Sequence, residues 1–426
     1  MRKTVFNELL KFDWKLVASF LVVSLLPSLM FVVFSLSSLW AGLLIASSIV
    51  MIFNIKSLMA FSFKPINVVV FFVGFFSLFI LSAYLYIVWN DTKPIFSMAI
   101  VFLVLAAMGL AKSIEHMRYE KLSSSFLVFV VLLITLGWFK LLFTISCCNY
   151  DLYIKEVFPF SEESHYALTL GMFSVAYSVA GNRLWVLFIS INLFLLTIIF
   201  PSLTLLLFTS LVFLVSSFRL RPLLFKSFIV VAPMLIFLLL IYLVSSLEYF
   251  SSRLTFEDTE NVTTLVFLQG WHLAYINLIE TNGLGLGFQM LGSASTHLSP
   301  YSEKIYTIMG EKRNVPDGGF LAAKLISELG VVGVLFSIGY VAFLFKFVFY
   351  ANQLWVYLRL HGSVVRRDLL MKKLLILGVV FAFLVEYLFR GLGYFSPGVF
   401  FMVFALAMIP TINKQLKLSS KKILPS

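Results

Sequence analysis

The sequence predicts an all-α, polytopic membrane bundle, and three observations carry that prediction. Of 426 residues, 61% are hydrophobic and only 12% are charged, where soluble domains run at roughly 45–50% and about 25%. Mean hydropathy is +1.01, and the apolar blocks recur from one end of the chain to the other, so one signal peptide or one anchor does not account for them. Each block is close to the ~20 residues that a tilted helix needs to cross a ~30 Å hydrocarbon core. There is too little charge for a disordered chain, and two Cys are too few for a disulfide scaffold.

In chain order the blocks run Leu16 to Phe34, Ser37 to Phe53, Val68 to Trp89, Ile95 to Ala111, Phe126 to Ile145 and Tyr166 to Ala180. They continue with Leu184 to Phe200, Leu203 to Phe218, Phe228 to Leu247, Phe320 to Phe349, Leu375 to Phe389 and Val399 to Ile409. Residues 1–426 thus form a single membrane domain of about twelve crossings. The short block at Tyr166 and a tight hairpin or re-entrant turn at Pro201-Ser202 would reduce the number to ten.

Lys and Arg concentrate in short cytoplasmic loops. Twenty-three of the 32 lie on the side shared by the two termini; the other nine are Lys93, Lys140, Lys155, Arg253, Lys304, Lys312, Arg313, Lys324 and Arg390. Both termini are therefore expected in the cytoplasm. The net charge of +12 follows from this topology and from anionic headgroups, and nucleic acid is not an expected partner.

Two segments outside the membrane are long enough to hold a site, and both are expected on the outer face. Ser146 to His165 contains Asp151, Glu156, Glu162, Glu163 and the adjacent Cys147-Cys148, which would close a strained ring poorly and read as free or interfacial thiols. The larger loop, 250–318, holds four Lys+Arg against seven Asp+Glu and has amphipathic stretches, so order and function are expected of it. Within it, Thr264 to Glu280 reads as a helix, with Leu265, Leu268, Ile276 and Ile279 at helical spacing and Gln269 and His272 together on another face. His272, beside Trp271, is a candidate general base or an interfacial side chain, and His297 is a weaker one. The run Gly283-Leu284-Gly285-Leu286-Gly287 permits close backbone approach but lacks the spacing of a dinucleotide loop; a turn leading back to the membrane explains it equally well.

Asp317 is the expected N-cap of the helix that follows, and Asp317, Lys324 and Glu328 are spaced to share one stripe of it. Ionisable groups cost about 2.5–3.5 kcal/mol each at the bilayer centre, so the stripe faces either a polar cavity or its own Lys324-Glu328 pair. Nearer the C-terminus, Glu386 and Arg390 are four apart in the order that favours a helical ion pair, and Arg390 stands before the Gly-rich break at Gly391-Leu392-Gly393. Arg390 would either snorkel or present its planar fork to phosphate. With Arg253 and Arg313 it makes three arginines on one face, which suits a pyrophosphate ligand. Walker A and HExxH motifs are absent, the six Asp never form DxD, and the Cys and His positions make no zinc site. No metal and no cofactor is expected, which leaves chemistry on a lipid-linked substrate, or transport.

The strings Gly270-Trp271-His272, Gly283 to Gly287, Asp317-Gly318-Gly319, Glu328-Leu329-Gly330-Val331-Val332-Gly333 and Phe389-Arg390-Gly391-Leu392-Gly393-Tyr394-Phe395, in that order with a large late outer loop, resemble the bacterial O-antigen polymerase (Wzy) family. The related O-antigen ligases are close to it. Where members often carry a Ser-Arg pair at a helix end and an Arg in the loop helix, this chain has Ser202-Leu203-Thr204 and Gln269. The resemblance implies a GT-C-like inner-membrane glycosyltransferase in lipopolysaccharide biosynthesis, independent of metal and nucleotide. Such an enzyme joins undecaprenyl-pyrophosphate-linked oligosaccharides at the periplasmic face, donor and acceptor both being lipid-linked, alongside membrane lipids and a chain-length regulator. On this resemblance Arg390, Arg253 and Arg313 would hold the departing pyrophosphate, and His272 or Asp317 would orient the acceptor hydroxyl. A ligase would share the donor and transfer to lipid A-core; its hallmark His would fall where this chain has Asp317, which favours the polymerase. A lipid-linked oligosaccharide flippase is the alternative of another class, but it would be expected to show internal repeats and mid-membrane polar groups.

Overall fold

The computed structural model describes residues 8–36, 38–60, 65–147, 157–199, 201–217, 253, 256, 259–293, 299–360 and 364–421. The ninth apolar block, Cys148 with Asp151 and Glu156, and His297 lie outside them. Every regular element described is a helix: α1 Trp14–Val32, α2 Leu39–Phe53, α3 Pro65–Trp89, α4 Ile100–Ser113, α5 Tyr119–Cys147, α6 Glu163–Ala180, α7 Arg183–Ile199 and α8 Leu203–Ser217. After these come α9 Val262–Glu280, α10 Pro300–Met309, α11 Leu321–Leu329, α12 Val331–Leu360, α13 Val364–Ala382, α14 Leu384–Leu388 and α15 Pro397–Lys421, with short helical turns at Ile55–Met59 and Lys93–Ala99.

Six helical stretches among the described residues are long and apolar enough to cross a membrane: Trp14–Val32, Lys93–Ser113, Tyr119–Lys140, Val262–Glu280, Val331–Leu358 and Pro397–Ser419. The chain is thus a helical protein with multi-pass membrane character. One of the six is α9, which the charge distribution assigns to the outer loop; its length and composition alone would suit a crossing.

Helix α6 organises the interior. From His165 to Ala180 every residue is buried, so this helix has no face left for lipid. It packs against α13, α8, α5 and α15. Small residues set the close crossings: a Cβ on Gly378 of α13 would sit 2.9 Å from the Ala176 backbone of α6, and in the neighbouring α1–α2 pair one on Gly42 would sit 2.7 Å from the Pro27 backbone. Around Phe173 of α6 the rings of Phe20, Phe126, Phe129 and Phe401 gather with centroids 4.5–5.1 Å away, edge and tilted geometries that suit the ring quadrupole. Helix α12 is the opposite case. Val331, Val332, Leu335, Phe336, Ile338, Phe345 and Phe349 are exposed along it, which is how a helix presents itself to hydrocarbon.

Three sequence expectations are corrected. The tenth block is two helices, because Gly330, with φ +57°, ψ −129°, ends α11 before α12 begins. Asp317 is not the N-cap of that helix: Gly318 and Gly319 both take positive φ and delay the helix, and Phe320 occupies the cap position without a side-chain hydrogen bond. Asp317 therefore lies off the helical stripe that carries Lys324 and Glu328. Finally, Glu386 and Arg390 are not an i, i+4 pair, since α14 stops at Leu388 and Arg390 falls in the break beyond it.

Lys372 closes the cytoplasmic side of this core by the topology that the charges predict. Its buried Nζ donates to the carbonyls of Ile114, Glu115 and Met117 at 3.2, 2.7 and 3.0 Å, tying α13 to the turn that follows α4.

Candidate functional site

A small hollow lies where the ends of α1, α2, α6 and α15 meet the break after α14; its cavity volume is about 20 Å³, room for one water-sized group. Its walls are mostly apolar, with Leu39, Leu43, Leu168, Met172, Phe395 and Phe401 among them. The polar groups are few: Ser24, Ser28 and Thr169, and the titratable pair His165 and Glu386. Mostly apolar walls with a few placed polar groups are the ordinary make-up of a ligand site.

Glu386 is positioned by the start of α15. Ser396 caps that helix, its Oγ accepting from Val399 N at 3.0 Å, and Pro397 stands at the first helical position. The same Ser396 hydroxyl donates to Glu386 Oε1. Gly398 is required here, because a Cβ at that position would overlap the Glu386 carboxylate. The carboxylate thus rests on a helix N-terminus, where the peptide dipoles favour negative charge.

His165 stands at the first turn of α6, and Nδ1 lies 3.0 Å from Ser161 Oγ. Its Nε2 is buried and has no hydrogen-bond partner, and the Ser24 Oγ of the same hollow has none either. The nearest carboxylate oxygen to Nε2, Glu162 Oε2, is 3.9 Å away. Burial holds the imidazole down to about 4, against the upward pull of Glu162, with Arg390 adding to the depression. It is therefore neutral at ordinary pH.

Arg390 is placed by glycines. Gly391 N donates to Gly319 O at 3.0 Å, and a Cβ on Gly391 would come within 2.8 Å of Glu386 O, so the break closes tightly on the turn before α11. From there the Arg390 Nη2 donates to Glu162 Oε2 at 2.7 Å. The arginine side chain is 22% exposed and the glutamate 51%. Burial pushes the Glu162 carboxyl up, but Arg390, His165 and Ser164 outweigh it and hold it below the usual carboxylate range. The pair adjoins the hollow through His165, a wall residue whose Nε2 lies 3.9 Å from Glu162 Oε2.

Asp317, Lys324 and Glu328 do come together, in a knot beside that break. Lys324 Nζ donates to Pro316 O at 2.7 Å and to Asp317 Oδ1 at 3.3 Å, lies 3.7 Å from Glu328 Oε1, and sits 5.4 Å from the centre of the Tyr394 ring. Glu328 in turn accepts from the backbone N–H groups of Gln289 and Leu291 at 2.9 and 3.2 Å. Buried charges partnered on this many sides bind loop to helix, and the salt bridge expected between Lys324 and Glu328 is present.

The glycine run has a structural partner. Leu286 N and Gly287 N each donate at 2.9 Å, to Ser327 O and Glu328 O, satisfying end carbonyls of α11. A Cβ on Gly285 would meet both Glu328 O and Gly330 N at 2.5 Å. Close backbone approach is realised against the chain's own helix.

Gln269 and His272 share a face of α9, as their spacing predicts, and that face meets α10. Gln269 Nε2 donates to Arg313 O at 3.0 Å and Ser302 Oγ donates to Gln269 Oε1 at 2.8 Å. The His272 ring stands edge-on to Tyr301 with centroids 5.8 Å apart, and its Nδ1 is buried without a hydrogen-bond partner. Arg313 pairs with Glu311 at 2.7 Å. The Arg253 carbonyl accepts from Thr264 Oγ1 at 2.9 Å, at the approach to α9.

Sequence reasoning did not single out His165 and Glu162. The readable signal was Glu162-Glu163-Ser164-His165 set directly before a block with no polar face. No family model, curated protein or solved structure matches the chain.

Proposed function

We propose that this chain is a polysaccharide polymerase of the bacterial inner membrane, an O-antigen polymerase type of glycosyltransferase that joins undecaprenyl-pyrophosphate-linked repeat units at the periplasmic face. In this reading the chain crosses the membrane about twelve times in a GT-C-like arrangement with both termini cytoplasmic, and a chain-length regulator is a partner. The growing glycan leaves its diphosphate carrier and joins the terminal sugar of the next lipid-linked unit. Diphosphate is a competent leaving group, so the chain's task is to stabilise the charge that develops on it and to orient the acceptor.

The observation that carries this reading is the Arg390–Glu162 pair beside the hollow. A guanidinium mostly buried among glycines, paired with one half-exposed carboxylate, is built to exchange that carboxylate for a stronger, forked anion. Arg253 and Arg313, which the sequence sets on the same face, would add positive charge, and Arg313 would do so by giving up its pairing with Glu311. The apolar walls of the hollow and the Phe-rich lipid face suit a substrate with a long isoprenoid tail.

The test is the purified full-length protein in nanodiscs, mixed with lipid-linked repeat units without metal or nucleotide. A ladder of elongated products supports the reading; unchanged units reject it. In cells, deleting the gene should leave lipopolysaccharide with core plus a single repeat, whereas loss of even the first repeat would indicate a ligase or a flippase.

A further inference from the structure

The inference concerns the acceptor half of the reaction and rests on the polymerase reading above. Three features converge on the hollow. His165 Nε2 and Ser24 Oγ are buried polar atoms without partners, and such atoms in a folded protein point to a missing hydrogen-bonding group. Ser28 and Thr169 share the walls with them, and Glu386 is the other titratable lining group. With the ring proton on Nδ1, directed at Ser161 Oγ 3.0 Å away, Nε2 is left as an acceptor facing no donor.

We propose that this hollow receives the attacking hydroxyl of the acceptor glycan, whose sugar ring stays at its mouth, and that His165 Nε2 takes the proton of that hydroxyl. The oxygen forms its new bond to the anomeric carbon of the donor. The bond from that carbon to the diphosphate oxygen breaks, and its electron pair leaves with the diphosphate onto Arg390. The hydroxyl proton passes to His165 Nε2, and no further reactant is consumed.

Glu162 links the two halves of this step. Its Oε2 is 2.7 Å from Arg390 Nη2 and 3.9 Å from His165 Nε2. Diphosphate that occupies Arg390 displaces Glu162, which then lies beside the imidazole and balances the charge that the ring acquires. Glu162 raises and Arg390 lowers the basicity of the ring, and Glu386 lines the same hollow; diphosphate that neutralises Arg390 therefore leaves the imidazole more basic when the proton has to be taken. The other two candidate bases lie elsewhere: His272, whose Nδ1 is also buried without a partner, packs on Tyr301, and Asp317 accepts from Lys324. Neither lines the hollow.

The experiment uses the full chain in nanodiscs with lipid-linked repeat units as donor and acceptor, and inorganic pyrophosphate as a probe of the donor side. His165→Gln should lower kcat by roughly 100-fold or more while pyrophosphate affinity stays within about twofold. Ser28→Phe, which fills the hollow, should raise the acceptor KM about tenfold or more with pyrophosphate binding unchanged. Elongation at wild-type rate by both variants overturns the inference, as does a parallel loss of pyrophosphate binding in His165→Gln. If His165→Gln does not fold, histidine-labelled wild-type protein carries the test: acceptor should shift the resonance of one buried neutral imidazole, and an unchanged spectrum rejects the proposal. A wild-type chain that makes no ladder would reject the polymerase reading itself, whereas equal ladders from wild type and His165→Gln reject the acceptor site alone.

Discussion

Arg390 and Glu162 are 228 residues apart in the chain, and their side chains meet at 2.7 Å. The contact ties the first turn of α6 to the glycine break after α14 and places a cation and a replaceable anion beside the hollow. A half-exposed pair of this kind contributes about 1 kcal/mol or less to stability, so its removal should be read in binding and not in folding. Glu162→Gln is expected to tighten inorganic pyrophosphate binding roughly fivefold, a change of about 1 kcal/mol. Arg390→Ala should abolish it and the product ladder together, at normal protein levels. Calorimetric titration measures both, and full activity in Arg390→Lys would argue against recognition by a planar fork.

The Lys324–Glu328 pair is buried on both sides, at 2% and 0% side-chain exposure. Lys324→Met leaves the glutamate without its cation and should cost roughly 3–5 kcal/mol. Lys324→Met with Glu328→Gln should recover more than half, because the amide oxygen still accepts from the backbone and no charge is stranded. Thermal melts of the two variants in detergent decide it; equal losses would show that the ion pair itself is not the issue.

Gly330 takes φ +57° and packs on the Gly283 carbonyl. Gly330→Ala should destabilise the protein by roughly 2–4 kcal/mol through backbone strain and overpacking. Protein that survives should bind pyrophosphate as wild type does. Selective loss of binding with an unchanged melt would instead make this turn part of a ligand site.

His165 also gives a pH dependence to stability. Its folded-state value is held down to about 4 from an ordinary 6.5, so between those values the unfolded chain binds a proton that the folded chain refuses. Stability then rises with pH across that window and falls by up to about 3 kcal/mol on acidification from 6.5 to 4. Glu162 and Arg390 face the ring, and Glu386 lines the same hollow; Glu162 adds its own loss at lower pH, since its carboxyl is held below the usual range. Melting midpoints of wild type and His165→Gln, compared from pH 7 to 4, should converge as the pH falls. Parallel curves would show that the imidazole is not buried in its neutral form.

The helices were legible because hydrophobic runs of membrane length leave the chain little else to be; every block within the described residues is helical, although the tenth and eleventh are each divided between two helices. Breaks were less legible. Gly330 and the pair Gly318-Gly319 interrupt runs whose composition stays apolar or polar across them, so the pattern reads through a turn that backbone conformation makes. Lys324 and Glu328 were readable as a pair by spacing alone. Arg390 was readable as unusual, but its partner was not: the cluster Glu162-Glu163-Ser164-His165 marks a helix start, and nothing in it says which of its acids meets an arginine 228 residues away. His165 was hidden for the same reason: its significance comes from α1, α14 and α15, three elements distant in sequence that close around it.

The helix Glu163–Ala180 is enclosed all round, and this has a consequence for how the protein tolerates change. An insertion in a helix that is apolar all round and faces lipid turns one greasy face toward the bilayer in place of another. One extra residue midway along α6 would turn its first half about 100° against the second and carry Ser161, Glu162 and His165, as one unit, away from Arg390 and from the walls that α1 and α15 give the hollow. Natural variation in chain length should therefore gather in the loops at either end of this axle and spare its shaft.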